Sequence, residues 1–188
     1  MKMNGEKLIN ASRQEVWDAL NSPEKLKLAI PGAETVEKKD DNNLTASVKT
    51  KIGPISAKFT GNIVLSDINP PISYTLTGEG TGGAAGFAKG TATVILDEID
   101  GNTLLKYSVD ASVGGKLAQI GQRLIDTAAN KLANEFFGKF NEILNPADDN
   151  AESKDNANNN NQGISQKIWI TILIILASLS TLIWYSLS

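Results

Sequence analysis

Residues 44–65 read LTASVKTKIGPISAKFTGNIVL. Leu44, Ala46, Val48, Thr50 and Ile52 alternate with Thr45, Ser47, Lys49 and Lys51. Gly53-Pro54 is turn chemistry. Beyond it Ile55, Ala57, Phe59, Gly61, Ile63 and Leu65 alternate again, with mainly polar neighbours. A period of two sends successive side chains to opposite faces of a strand. The stretch therefore predicts an antiparallel hairpin with one apolar face and one wet face.

The pattern continues on both sides. After Pro70-Pro71, Ile72, Tyr74, Leu76 and Gly78 face one way, with Ser73, Thr75, Thr77 and Glu79 opposite. Lys89 to Leu96 and Leu104 to Ala111 repeat it around Asp100-Gly101. Upstream, Glu6 to Asn10 reads as an opening strand. Ser12-Arg13-Gln14-Glu15 is a capping box, with Val16, Trp17 and Leu20 forming an apolar stripe behind it. Ser22-Pro23-Glu24 starts a second short helix, which Pro31-Gly32 ends.

From Lys116 the period changes. Leu117, Ile120, Leu124, Ala128, Leu132, Phe136, Phe140 and Ile143 follow three-to-four spacing, which predicts one long amphipathic helix. That helix needs an apolar surface, and the sheet offers its inward face. The fold class is α+β: a curved antiparallel sheet around a long C-terminal helix, in one domain over residues 1–145. The inward positions include Ala46, Ala57, Gly61, Gly78, Gly90, Ala92 and Ala111. Small side chains there either leave a void suited to an apolar ligand or let the helix pack closer at normal density. The pattern alone leaves both open.

Two segments follow the domain. Residues 146–167 are polar and Asn-rich, too poor in apolar groups to repay ordering, and read as a disordered linker. Its expected reach is about 25 Å. Ile168 to Leu187, IWITILIILASLSTLIWYSL, carries no charge, with Trp169 at its start and Trp184 and Tyr185 at its end. As a helix it would be roughly 30 Å long, the thickness of a bilayer core, with aromatic side chains at both interfaces. It is expected to be one separate transmembrane helix. The first ten residues, MKMNGEKLIN, contain no apolar signal segment. The expected location is the cell membrane, single-pass, with the domain on the cytoplasmic side; Lys167 flanks the span there. A net charge of −3 gives no electrostatic case for nucleic acid.

Specific words in the chain carry a family resemblance. Ile30-Pro31-Gly32-Ala33, LSDINPPISYTLTGEG at 65–80, GGAAGFAKGTATVIL at 82–96 and VGGKLAQIGQRLIDTAANKLANEFFGKF at 113–140 resemble the carbon monoxide dehydrogenase G-subunit family. That family falls within the START-like, helix-grip (SRPBCC) superfamily of hydrophobic-ligand-binding domains. The resemblance implies an accessory protein that recruits a molybdenum-hydroxylase dehydrogenase, above all carbon monoxide dehydrogenase, to the inner face of the membrane. The molybdenum, flavin and iron–sulfur centres would belong to that partner, since this chain has no Cys and no His. No cofactor bound covalently or by metal ligation is expected. A quinone or isoprenoid lipid is the expected cavity ligand. The alternatives are a tethered hydrophobic-ligand carrier without a dedicated enzyme partner, and a cyclase- or hydrolase-like START-domain enzyme.

Eight residues are candidates for ligand binding. Phe59, Tyr74 and Tyr107 are expected to face inward, where a quinone carbonyl, a backbone carbonyl or a water could satisfy either phenol. Leu117, Ile120, Gly121 and Leu124 are placed at the cavity mouth, with Gly121 inside the long helix. Phe87 is the oddity. Strict alternation from Lys89 points it outward, so either a bulge shifts the register or Phe87 is an exposed contact for a ligand, membrane or partner. The six glycines from Gly78 to Gly90 lack the GK[ST] ending of a phosphate loop. They read as a mobile gate over the cavity or as a device that lets the sheet curl. The inward strand positions hold no Asp or Glu, so no catalytic residue is assigned.

Overall fold

The computed structural model describes residues 1–146; the linker beyond Pro146 and the apolar run at 168–187 lie outside them. Among the described residues no helix is long and apolar enough to cross a membrane. Among the described residues, seven strands form one antiparallel sheet. They are β1 (Lys2–Ile9), β2 (Ala33–Lys38), β3 (Asn43–Ile52), β4 (Ile55–Asn69), β5 (Ser73–Thr81), β6 (Phe87–Ile99) and β7 (Asn102–Gly114). Their spatial order is β1-β7-β6-β5-β4-β3-β2. The chain starts at one edge, crosses to the other through α1 (Arg13–Leu20) and α2 (Pro23–Ala29), and returns hairpin by hairpin. Then α3 (Lys116–Gln119) and α4 (Gln122–Leu144) follow.

The register makes the period-two reading concrete. Leu44 pairs with Ile63, Ala46 with Gly61 and Val48 with Phe59. Leu65 pairs with Leu76, Leu76 with Ala92, and Val94 with Tyr107. Mainly polar side chains occupy the other face, where Lys106 meets Asp97 at 2.7 Å and Lys2 meets Asp110 at 3.7 Å. The capping box at α1 is also formed. Glu15 Oε2 accepts from the Ser12 N–H at 2.9 Å and from its hydroxyl at 2.6 Å. Those hydrogen bonds hold the Glu15 carboxyl below the usual carboxylate range. Ser22 caps α2, with Pro23 at its first position.

Three elements depart from the sequence reading. The opening strand is Lys2–Ile9 rather than Glu6 to Asn10, because its outer half is polar and Gly5 interrupts its inner face. Strand β2, AETVEK, has little apolar periodicity because it is an edge strand with mostly exposed side chains. The long helix is broken. Ile120 ends α3 and Gly121 precedes α4 with φ +89° and ψ 145°, a backbone that essentially only glycine adopts. Gly121 is thus a joint between two helices, not a residue inside one.

Phe140 of α4 is fully buried on a core of Ile9, Val16, Leu96 and Leu105. Trp17 meets Tyr74 edge-on at 5.5 Å, which fixes α1 against β5. Glycine lets the sheet close around α4. A Cβ at Gly61 would stand 2.6 Å from the Glu79 carbonyl oxygen, and one at Gly90 would stand 2.7 Å from that of Asp110.

Candidate functional site

A cavity of ≈ 250 Å³ lies between α4 and the inner face of the sheet. The sheet supplies its floor through Leu44, Ala46, Ile63, Leu65, Leu76 and Val94. Phe136 and Phe137 of α4 form the roof, while Leu20, Leu26 and Ile30 close the side where α1 and α2 cross. Ala46 is one of the small inward positions, so here the sheet does leave volume beneath the helix.

Four polar side chains reach the wall. Asn21 is committed, its Nδ2 donating to the Trp17 carbonyl at 2.8 Å. Lys38 stands at the rim, 3.4 Å from Asp41. Tyr74 is 6% exposed, and burial pushes its phenol above the ordinary value. Tyr107 stacks on Phe137 with ring centroids 5.4 Å apart. No Asp, Glu, His or Cys lines the cavity, and the described residues contain no cluster able to hold a metal ion. Such a wall binds by taking apolar surface out of water, about 25 cal/mol per Å², and offers no ionic group to orient a polar substrate.

Two more hollows continue beneath α4. The second, ≈ 330 Å³, is lined by Met3, Val48, Val109, Leu132 and Ala133 among others, and shares Ile30, Tyr107, Phe136 and Phe137 with the first. The third, ≈ 380 Å³, lies further along at Ile125, Ala128, Ala129 and Ala111, and shares Leu132 with the second.

Of the eight candidate residues, Tyr74 and Tyr107 line the cavity. Phe59 lies on the inner side but packs against Gly82, where a Cβ would stand 2.5 Å from its ring. Leu117 is 1% exposed and belongs to the core near the 3-10 turn Gly83–Ala85. Ile120 and Leu124 approach Gly53 at the β3–β4 turn, each 3.7 Å from a Cβ placed there, and Leu124 is 47% exposed. With Gly121 they stand at the start of α4, while the cavity lies under its later half. Phe87 is 49% exposed and lies across Gly114. The β5–β6 register runs without a shift to its last pair, Thr81 with Phe87, so no bulge intervenes between Lys89 and Phe87 and the ring faces outward. The Gly-rich segment is the hairpin of two interior strands, not a gate over the cavity.

Sequence reasoning missed the walls from α1, α2 and β2, and the Phe136-Phe137 roof. Leu26 and Ile30 fit no strand alternation and follow a capped helix start, a signal that the α1–α2 crossing covers something apolar.

A curved antiparallel sheet gripping a long C-terminal helix, with apolar hollows between them, defines a helix-grip domain. Within that class the chain belongs to the carbon monoxide dehydrogenase G-subunit (CoxG) family, whose family model matches residues 5–145. Among solved structures it is similar to a conserved protein from Geobacillus kaustophilus, at 32% identity over 77% of this chain and 95% of that one, with a TM-score of 0.72. A protein from Mycobacterium smegmatis is 17% identical over 77% of this chain and 91% of its own, with a TM-score of 0.58. An aromatase/cyclase from a Streptomyces species is 10% identical over 79% and 98%, with a TM-score of 0.57. The last two show the shared fold. No curated protein matches the sequence.

Proposed function

We propose that this chain is a membrane-tethered accessory protein that recruits a molybdenum-hydroxylase dehydrogenase to the cytoplasmic face of the membrane. The partner is carbon monoxide dehydrogenase, and the cavity holds a quinone or another isoprenoid lipid. Family membership supports the association with carbon monoxide dehydrogenase. The charge-free run at 168–187 supports the tether. The observation that carries the cargo is the ≈ 250 Å³ cavity with its apolar wall.

The physical logic is one of concentration. An enzyme that takes electrons from a small substrate must pass them on, and a tether raises its local concentration at the bilayer without new contacts to the acceptor. A carrier without a dedicated enzyme partner is the second reading, and the same cavity favours it. A cyclase- or hydrolase-like role would have to draw its general base from Tyr74, Tyr107 or Lys38, because the wall holds no carboxylate.

Fractionation of cells with and without residues 147–188 tests the recruiting role. Loss of carbon monoxide-oxidising activity from the membrane fraction, with its appearance in the soluble fraction, is expected. An unchanged distribution overturns recruitment and leaves the carrier reading.

A further inference from the structure

We infer that the Tyr107–Phe137 stack is the ruler that sets how long an apolar tail the cavity accepts, and that the hollow behind it is a second chamber that the stack denies to longer tails. This rests on the reading of the first cavity as a hydrophobic-ligand site.

Three observations converge on these two rings. With Ile30 and Phe136 they line both hollows, so the stack stands at the boundary between them. Their centroids are 5.4 Å apart with the planes inclined by 25°, one ring from the sheet and the other from α4, so the stack bridges sheet and helix. Tyr107 is also seated. Its cross-strand partner is Gly5, and a Cβ there would stand 2.5 Å from the phenol oxygen and 2.7 Å from Cζ. Glycine at position 5 is thus what lets the ring lie over β1 and meet Phe137. Behind the stack, Met3, Val109, Leu132 and Ala133 are apolar and Ala133 is small. The chamber therefore suits a hydrocarbon tail. An acyl and a polyprenyl tail share that chemistry and differ in cross-section.

The test uses the domain, residues 1–146. The Geobacillus relative supports its autonomy, because alignment to this domain covers 95% of that separately solved chain. Straight-chain alcohols from hexanol to hexadecanol are titrated calorimetrically into wild type, Phe137→Ala and Tyr107→Leu. A further run uses geraniol, farnesol and geranylgeraniol. Each buried methylene adds about 0.8 kcal/mol, or about fourfold in affinity. In wild type that gain should stop at the tail length filling the first chamber. In either variant it should continue past that length, leaving hexadecanol at least about tenfold tighter than in wild type. The same cut-off in wild type and in a folded variant overturns the ruler while leaving the ligand site intact. No alcohol binding to wild type overturns the ligand site itself. The linear series alone extending in the variants assigns the chamber to acyl tails, and the branched series extending too assigns it to polyprenyl tails. Tyr107→Leu keeps the test decisive if Phe137→Ala fails to fold.

Discussion

Gly5→Ala should destabilise the domain although it adds a methyl group to a strand. In isolation alanine favours a strand by about 0.5–1 kcal/mol over glycine. Here the new Cβ would stand 2.5 Å from the Tyr107 oxygen, whereas ordinary contact begins at 3.4 Å, so the ring must withdraw. Withdrawal sacrifices the Phe137 stack, worth about 0.5–1.5 kcal/mol, and drives the Tyr107 side chain off its rotamer for about as much again. The net loss is about 1 kcal/mol, a fall in melting temperature of roughly 3 °C for a domain of this size. The assay is urea unfolding of four proteins: wild type, Gly5→Ala, Tyr107→Ala and the double variant. With the ring removed, the alanine should stabilise by about 0.5–1 kcal/mol, so the sign of the substitution reverses between backgrounds. An equal effect in both would refute the claim that Gly5 exists to seat Tyr107.

Tyr74 makes stability depend on alkaline pH. Its buried phenol stays protonated while the unfolded one ionises above about pH 10, so stability is full below that value and falls as pH rises, by up to about 1.4 kcal/mol per unit; Tyr74→Phe should flatten the slope in urea titrations, and an unchanged slope would remove Tyr74 as its source. Phe87→Glu should leave melting temperature nearly unchanged and ligand affinity within about twofold, because the ring lies outside on Gly114; collapse of the fold would mean the outward placement is wrong. Gly121→Ala should cost about 1–3 kcal/mol through backbone strain alone, since nothing stands within 4 Å of its Cβ position. Gly138→Ala, in equally open space inside α4, should instead stabilise by about 1 kcal/mol; equal effects at the two glycines would contradict the helix break.

The fold was legible where side chains repeat. Period two from Leu44 to Leu65 gave the pairing of β3 with β4 because one face is buried and a slip of one residue would expose it. The capping box gave α1 because its two hydrogen bonds are local. What failed was set by distance or by a single backbone angle. Strand β2 is an edge whose pairing, not its composition, makes it a strand. Gly121 carries no apolar side chain, so the stripe reads straight across the break. The site was half legible. Alternation sends Tyr74 and Tyr107 inward, whereas the roof depends on which turn of α4 lies over which strand. Helical periodicity cannot supply that: the stripe points to a mouth near Leu117 and Leu124, while the cavity lies under Phe136 and Phe137.

Native mass spectrometry of residues 1–146, after mixing with native membranes and repurification without detergent, is the most direct test of the cavity as a cargo site. An intact complex with one quinone or isoprenoid lipid per domain, lost in a variant that fills the cavity such as Ala46→Trp, is the expected result. A domain that emerges empty while a known lipid-binding control emerges loaded would contradict cargo binding and leave its role to the outer surface.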